Sequence, residues 1–254
     1  MAQSLGVRHA FKALAATSLL VAAWHLASAV LESYFLPGPL EVLPRFLDLL
    51  REWSTWRHVA ASFTRVLLGL LIGLVAGLAM GVAPRHVPKA SFLVEGVVQP
   101  VLESVPAICW ALVFATMFGL AGTAPVLVVA AAVTPFFTVN MWEGVKELDE
   151  SLIEMAQSFT KSRLRIMRHV VLPMLYPYLF AALRTSFQVS WKVVVMGEVF
   201  GALDGVGYML WLAFSSYDPV SMLSWVLLCA LMIAFFEYAV FNYLDRRYVR
   251  RWRR

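Results

Sequence analysis

The chain contains little charge for its length. Asp, Glu, Lys and Arg make up only 15% of its 254 residues, whereas a water-soluble domain carries about a quarter. Hydrophobic residues account for 61% of the sequence and the mean hydropathy is +0.74, which excludes a water-soluble globular domain. Several apolar runs reach the ~20 residues that a helix needs to cross a bilayer. These runs do not alternate with period two, as barrel strands would. The sequence therefore predicts an all-α integral membrane protein.

Cysteines and reactive motifs are also scarce. The two cysteines, Cys109 and Cys229, lie inside apolar runs without metal-binding spacing or a disulfide framework, so we interpret them as small core residues. The sequence contains no GxxxxGK(S/T) phosphate-binding loop, no HExxH and no GxSxG. We therefore predict no catalytic residue, metal site or nucleotide site in this chain. The net charge of +5 does not indicate nucleic-acid binding, because in a membrane protein the placement of Lys and Arg matters more than their sum.

The apolar runs predict six transmembrane helices, at about 11–31, 59–83, 90–120, 124–141, 173–200 and 220–244. The third run contains Pro100 and Pro106, so this helix should be kinked or broken. The predicted organisation is an N-terminal segment with the first span (1–31), an external loop with a short amphipathic helix (32–58), a core domain (59–244) and a basic tail (245–254).

The distribution of basic residues predicts the orientation. If the N-terminus is placed in the cytoplasm, most of the 21 Lys and Arg side chains, including six arginines of the tail, lie on the cytoplasmic side of the membrane. Both termini and residues 142–172 should therefore be cytoplasmic. The start of the chain also resembles a cleaved signal peptide, with a small-residue site at Ala27-Ser28-Ala29. Its apolar run is long for that purpose, so we favour an uncleaved first span; the other five keep the same orientation either way.

Residues 142–172 form a charged segment between apolar runs. The first half carries five acidic residues against Lys146, and the second carries four basic residues and no Asp or Glu. Apolar residues recur at helical spacing in the first half, and Ser162 is a suitable cap for a second helix that ends near Pro173. Two short helices with an apolar stripe at the membrane surface indicate a docking element; an ordinary solvated loop is the alternative.

This segment resembles the EAA loop of the inner-membrane permeases of binding-protein-dependent ABC importers. The family motif is Glu-Ala-Ala, three residues, Gly, nine residues, Ile, one residue, Leu-Pro, and four of its seven positions are identical here. The residues at the motif positions are Glu154, Met155, Ala156, Thr160, Val170, Leu172 and Pro173. Thr160 replaces a glycine that would permit a sharp turn, which a β-branched residue resists; Ser162 is placed to supply the break instead.

The resemblance extends over about residues 35–250. The segments FLPGPLEVL, SFTRVLLGLLIGLVAGLAMG and LRTSFQVSWKVVVMGEVFGALDGVGYML are similar to the nitrate/sulfonate/taurine branch of these permeases. In that family the EAA loop inserts into a groove of an ATP-binding subunit and passes its motion to the spans. By position in the motif, this coupling role is implied for Glu154, Ala156 and Pro173. The coupling site is expected to include Phe159, Thr160, Ser162 and Leu172 as well.

The resemblance also implies a set of partners and a location. It implies a type I ABC importer permease fold in the bacterial inner membrane, assembled as a homodimer with two ATP-binding cassette ATPase subunits. A periplasmic or lipid-anchored solute-binding protein would deliver the solute on the outer side. ATP and Mg would be bound by the ATPase subunits, with no cofactor in this chain.

Charged residues inside spans are costly and usually face protein or water. Span three holds Glu103, and one face of span five holds Arg184, Gln188 and Lys192 at intervals of four. Because Glu103 and Arg184 have similar predicted depths, we hypothesise that they pair, while Gln188 and Lys192 line the solute path. The hypothesised translocation path comprises Glu103, Arg184, Gln188, Lys192 and Glu198. The alternative is an ion pair that only orders the bundle. Lys192 suits an anionic solute, but one lysine does not establish the charge of the solute.

Two charged residues lie near the predicted outer ends of spans. Glu198 precedes the glycine-rich GALDGVGYM, where it is placed for a gate or a binding-protein contact, or for ending the helix with local hydrogen bonds. Arg65 is expected to snorkel or to pair structurally rather than to touch solute.

A glycine recurs every four residues in span two. Such a stripe lets another helix approach closely, within the subunit or across a dimer. The residues of this stripe are Gly69, Gly73, Gly77 and Gly81.

These observations predict a permease subunit that forms the translocation path for a small anion or organic acid such as nitrate, sulfonate or taurine. ATP would be hydrolysed on a separate subunit, and alternating access would move the solute. The alternative is an ion-gradient-driven secondary transporter or channel that uses Glu103, Arg184 and Lys192 as a relay, which leaves the EAA spacing as a coincidence.

Overall fold

The computed structural model describes residues 2–31, 36–86, 92 and 94–241. This part of the chain is helical and contains no β-strand, although Ala121 and Ala202 form an isolated antiparallel bridge. The predicted all-α fold is confirmed. The predicted basic tail and the last residues of the predicted sixth span lie outside the described residues.

The helices follow one another with short connections. The α-helices are α1 (Ala2–Leu31), α2 (Pro39–Arg51), α3 (Trp53–His86), α4 (Gln99–Ser104), α5 (Ala107–Phe118), α6 (Thr123–Lys146), α7 (Glu150–Phe159), α8 (Arg163–Ile166), α9 (Leu172–Gly201), α10 (Val206–Ser215) and α11 (Pro219–Phe235). π-helical segments occur at Val94–Val98, Met167–Val171 and Phe236–Phe241.

Four helices of the described chain are long and apolar enough to cross a membrane. They comprise Trp53–Arg85, Thr123–Lys146, Arg163–Gly201 and Pro219–Ala239, and they coincide with the predicted second, fourth, fifth and sixth spans. The first predicted span falls in a shorter apolar segment, Ala15–Leu31. The third is broken at Val105 and Pro106 into α4 and α5, because proline has no N–H for the helical hydrogen bond.

The chain divides into two compact units. The first comprises Met1–Trp56 and Met209–Leu228. In it α2 buries Val42, Phe46 and Leu49, which lie on one face of the helix. The Ser224 hydroxyl donates a hydrogen bond to the Val42 carbonyl over 3.3 Å, which fastens the backbone of α2 to α11.

The second unit comprises Arg57–Tyr208 and Cys229–Arg254. Its largest apolar cluster joins α3, α6 and α9 to the segment that ends at Phe241. Trp191 is fully buried and stacks on Phe236 with ring centroids 6.3 Å apart, while Phe187 meets Phe236 edge-on at 5.2 Å. These aromatic contacts hold α9 in the centre of the unit.

The glycine stripe of α3 lies against α6 in the same subunit. A Cβ atom at Gly69 would stand 2.8 Å from the Val126 carbonyl oxygen, and one at Gly81 would stand 2.7 Å from the Thr138 carbonyl oxygen. The side chains of Val133 and Phe137 occupy the space beside Gly73 and Gly77. All four glycines therefore permit direct contact between α3 and the backbone of α6.

Gly77→Ala is expected to destabilise the protein by about 1–3 kcal/mol, the usual cost of overpacking. The new methyl group would lie 2.9 Å from the Thr134 carbonyl oxygen and would collide with the Phe137 side chain. Thermal unfolding of the detergent-solubilised chain measures the effect. Gly96→Ala is the matched control, because its nearest neighbour, Phe92, stands at an ordinary 3.7 Å. Equal midpoints for the two variants would contradict the close approach.

Candidate functional site

The charged segment folds into α7, a three-residue turn, α8 and a π-helical turn that runs into α9. We call residues 149–173 the coupling segment. Its inner side is anchored by Ile153 and Ile166, which are buried against Met141, Val145 and Leu175 in a second apolar cluster. Since that cluster includes residues of both α6 and α9, α7 is packed against two of the long apolar helices.

The outer side of the coupling segment is apolar and exposed. Phe159 is 84% exposed and Leu164 is 79% exposed, and Met155 is also exposed. Glu154 is exposed on α7. A short segment with a buried base and exposed large apolar side chains has the form of a docking element rather than of a solvated loop.

Side-chain caps fix both helices of the coupling segment. Asp149 caps α7, with its carboxylate accepting hydrogen bonds from the Ser151 hydroxyl over 2.6 Å and from the Ser151 N–H over 2.9 Å. These bonds lower the pKa of the Asp149 carboxyl. Ser162 caps α8 as predicted, and its hydroxyl accepts from the Arg165 N–H at 3.4 Å.

The turn at Thr160 differs from the expectation for a glycine position. Thr160 has φ −152° and ψ 136°, which is extended backbone that β-branched residues favour. Its N–H donates to the Ala156 carbonyl over 3.1 Å, and its hydroxyl accepts from the Ser162 N–H over 3.2 Å. Threonine therefore makes this turn without strain and adds a hydrogen bond that glycine lacks.

The coupling segment encloses a groove with the start of α9. The groove has a volume of about 460 Å³, and its walls include Ala156, Met155 and Pro173. Leu172 is exposed beside it. Arg85, at the end of α3, donates to the Glu150 carboxylate over 2.8 Å. The structure thus brings Ala156 and Pro173 together and ties the coupling segment to a third long helix.

A second concave site lies between α4, α5, α6 and α9. This cavity has a volume of about 550 Å³, with mostly apolar walls and the polar side chains of Glu103 and Asn140. The Glu103 carboxylate accepts a hydrogen bond from Gln99 over 3.1 Å. Of the residues assigned to the solute path from sequence, Glu103 lines this cavity.

The predicted pairing of Glu103 with Arg184 is wrong. The Arg184 guanidinium pairs with Glu237, which its Nε reaches over 2.9 Å, and Gln188 donates to the same carboxylate over 2.5 Å. Both residues thereby fasten α9 to the segment after α11. Lys192 is exposed and is not among the described residues that line the cavity.

Glu198 is the centre of a buried polar network. Its side chain is fully buried, and its carboxylate accepts from Arg65 over 2.8 Å, from the Ser62 hydroxyl over 2.9 Å and from the Gly207 N–H over 2.9 Å. Arg65 also pairs with Asp204. The network joins α3, the end of α9 and the start of α10.

The loop that follows α9 fits closely around this carboxylate. Gly205 has φ +107°, and any side chain there would overlap the carboxylate of Glu198. A Cβ atom at Gly207 would stand 2.8 Å from the Cβ of Glu198. Of the two roles considered for Glu198, the geometry matches a helix end held by hydrogen bonds, and Arg65 pairs structurally as expected.

Comparison with known proteins shows which family has this architecture. Residues 69–254 match the binding-protein-dependent transport system inner membrane component family. The chain belongs to this family. It is a permease component of an ABC importer, as its resemblance to the EAA-loop permeases indicated.

Individual relatives of the permease are transport proteins of bacteria. SsuC of Escherichia coli, named for the transport of aliphatic sulfonates, is 33% identical over 75% of this chain and 73% of its own. The taurine transport system permease protein TauC of the same organism is 30% identical, covering 76% and 72%. The nitrate import permease protein NrtB of Synechococcus elongatus is 26% identical, covering 78% and 74%.

Solved structures agree with the fold of the permease. A chain of the MetNI methionine ABC transporter in an inward-facing conformation superposes with a TM-score of 0.62 at 22% identity, covering 80% of this chain and 97% of its own. A chain of an amino acid ABC transporter gives 0.61 at 18% identity, covering 81% and 96%. At these identities the likeness is one of fold.

Several contacts of the permease were missed from sequence. Glu237 is the acid within the last apolar run, so the cost of burying a charge was a signal that it has a basic partner. Ser62 and Asp204 gave no comparable signal, since each is a common polar residue near a helix end. The charges of Arg85 and Glu150 are evident from the sequence, but their pairing depends on how α3 and α7 meet.

Proposed function

We propose that the permease, together with a second copy of itself, conducts a small solute across the bacterial inner membrane while two separate ATP-binding cassette subunits hydrolyse ATP. The ATPase subunits dock on the coupling segment from the cytoplasm, where both termini of the permease also lie. ATP and Mg are held by those subunits, and the permease carries no cofactor. A periplasmic or lipid-anchored binding protein delivers the solute on the outer side.

The observation that carries this proposal is the two-sided construction of the coupling segment. Phe159 and Leu164 are exposed on one side, while Ile153 and Ile166 are packed against α6 and α9 on the other. Apolar side chains at the centre of an interface supply much of the binding energy of a complex. The buried side provides the rigid connection through which closure of the ATPase subunits opens the helices outward.

The cargo is proposed from the relatives. SsuC, TauC and NrtB are named for aliphatic sulfonates, taurine and nitrate, so the proposed cargo is a small anion or organic acid of that group. The gradient-driven alternative needs Arg184 in a relay with Glu103, whereas Arg184 is engaged by Glu237. The paired arrangement favours a structural role for Arg184.

Reconstitution tests the proposal. The permease, co-expressed with its ATPase, is expected to purify as a complex and to take up solute in proteoliposomes when ATP and the binding protein are both supplied. A non-hydrolysable ATP analogue should stop uptake. Uptake at the full rate without the ATPase subunit would refute the proposal, as would labelling of a cysteine introduced at Glu154 from the outer side.

A further inference from the structure

We propose that the cavity between α4, α5, α6 and α9 binds the ammonium group of a zwitterionic solute, with Glu103 as its counter-ion. The inference rests on the proposed function and narrows its cargo from small acids in general to acids that also carry an amine, of which taurine is an example.

The polar groups of the cavity are mainly hydrogen-bond acceptors. Glu103 contributes a carboxylate, and an ionised carboxylate accepts but does not donate. Asn140 uses one of its two N–H donors on the Phe136 carbonyl over 2.8 Å. Its Oδ1 can accept from an ammonium group, and its second N–H can donate to the acidic end of the same solute. A carboxylate beside an amide oxygen favours a ligand with several N–H donors.

Aromatic side chains form part of the wall beside these acceptors. Trp110 and Phe136 both line the cavity, and Trp110 is held in place by stacking on Phe114 with ring centroids 5.6 Å apart. Tryptophan faces attract cations more strongly than other aromatic rings do.

The charge of the cavity argues against a simple anion. Glu103 is the ionisable side chain among the described lining residues, and no lysine or arginine is among them. Lys192 does not compensate, because it is not among the described residues that line the cavity. An anion without an ammonium group would meet a carboxylate and no cation, whereas a zwitterion pairs its ammonium with Glu103.

Equilibrium binding to the permease–ATPase complex in detergent tests the assignment without the binding protein. Taurine (2-aminoethanesulfonate) and ethanesulfonate serve as probes, since they differ by the ammonium group. Taurine is expected to bind saturably and ethanesulfonate about tenfold or more weaker, as for a hydrogen bond to a charged group. Glu103→Gln should weaken taurine binding by a similar factor. It should not weaken ethanesulfonate binding, because it removes the carboxylate that repels this anion. Equal binding of the two probes, binding of neither, or no effect of Glu103→Gln would overturn the proposal.

A control variant separates this result from loss of structure. Glu143→Gln removes an exposed carboxylate of α6 that is not among the described lining residues, so taurine binding should be unaffected. Glu103→Gln should retain the unfolding midpoint and the association with the ATPase. If the complex forms and hydrolyses ATP but does not distinguish the two probes, the ammonium assignment fails and the proposed function stands. If no complex forms, it is the proposed function that fails.

Discussion

Glu198→Ala is expected to destabilise the folded permease by about 3–5 kcal/mol, the usual cost of removing one partner of a buried ion pair. The Arg65 side chain is only 12% exposed. It would lose the buried Glu198 carboxylate as a partner and would retain the half-exposed Asp204 carboxylate. The Ser62 hydroxyl and the Gly207 N–H would lose the same acceptor. A denaturant titration in mixed micelles measures the free energy of unfolding, and the yield of monodisperse protein should fall with it.

Two further variants show whether the effect comes from an uncompensated charge. Asp204→Asn changes a side chain that is 56% exposed, so the expected loss is at most about 1 kcal/mol. The double variant Arg65→Met with Glu198→Leu removes both charges and should recover much of the stability, because apolar replacements of a buried pair are often neutral. If Glu198→Ala unfolds like the unmodified chain, the network does not stabilise the fold.

Features set by single residues could be predicted from the sequence. The break at Pro106 follows from the missing N–H of proline. The close approach of another helix to α3 follows from glycines on one face, although the sequence did not identify α6 as that helix. The cap at Ser162 follows from a hydroxyl placed before a helix. In each case the physical cause lies within one helix, so the order of the other helices does not alter it.

Features that depend on how helices face one another could not be predicted. The depths of Glu103 and Arg184 were estimated from helical rise, but depth does not determine rotation about the helix axis. Arg184 turns toward Glu237 while Val189 and Val193 face the cavity with Glu103. Pairing Arg184 correctly would have required knowing that the segment after α11 lies beside α9.

The network around Glu198 shows the same limit. The glycines of GALDGVGYM indicated an unusual loop, and Gly205 does have a positive φ. The sequence left open whether Glu198 forms a gate or ends a helix, because Ser62 and Arg65 are more than 130 residues away along the chain. Only the packing of α3 against α9 brings them to the carboxylate.

Phe159→Asp is expected to reduce stimulation of the ATPase and ATP-driven uptake by about 30-fold or more. A central apolar side chain in an interface contributes about 2 kcal/mol or more, which corresponds to that factor in affinity. Phe159 is 84% exposed at the end of α7, so the fold does not depend on it and the variant should keep its unfolding midpoint. The binding affinity of the purified permease for the ATPase subunit and the rate of ATP hydrolysis measure the effect.

Neighbouring substitutions separate the loss of the aromatic ring from the added charge. Ser158→Asp places the same charge one residue earlier on α7, where the side chain is exposed, and should retain most of the stimulation. Leu164→Asp removes another large apolar side chain, which is 79% exposed, and should act like Phe159→Asp. Phe159→Leu should restore much of the activity, because a docking pocket requires apolar volume. Full stimulation by Phe159→Asp and Leu164→Asp together would mean that the ATPase docks on a different surface of the permease.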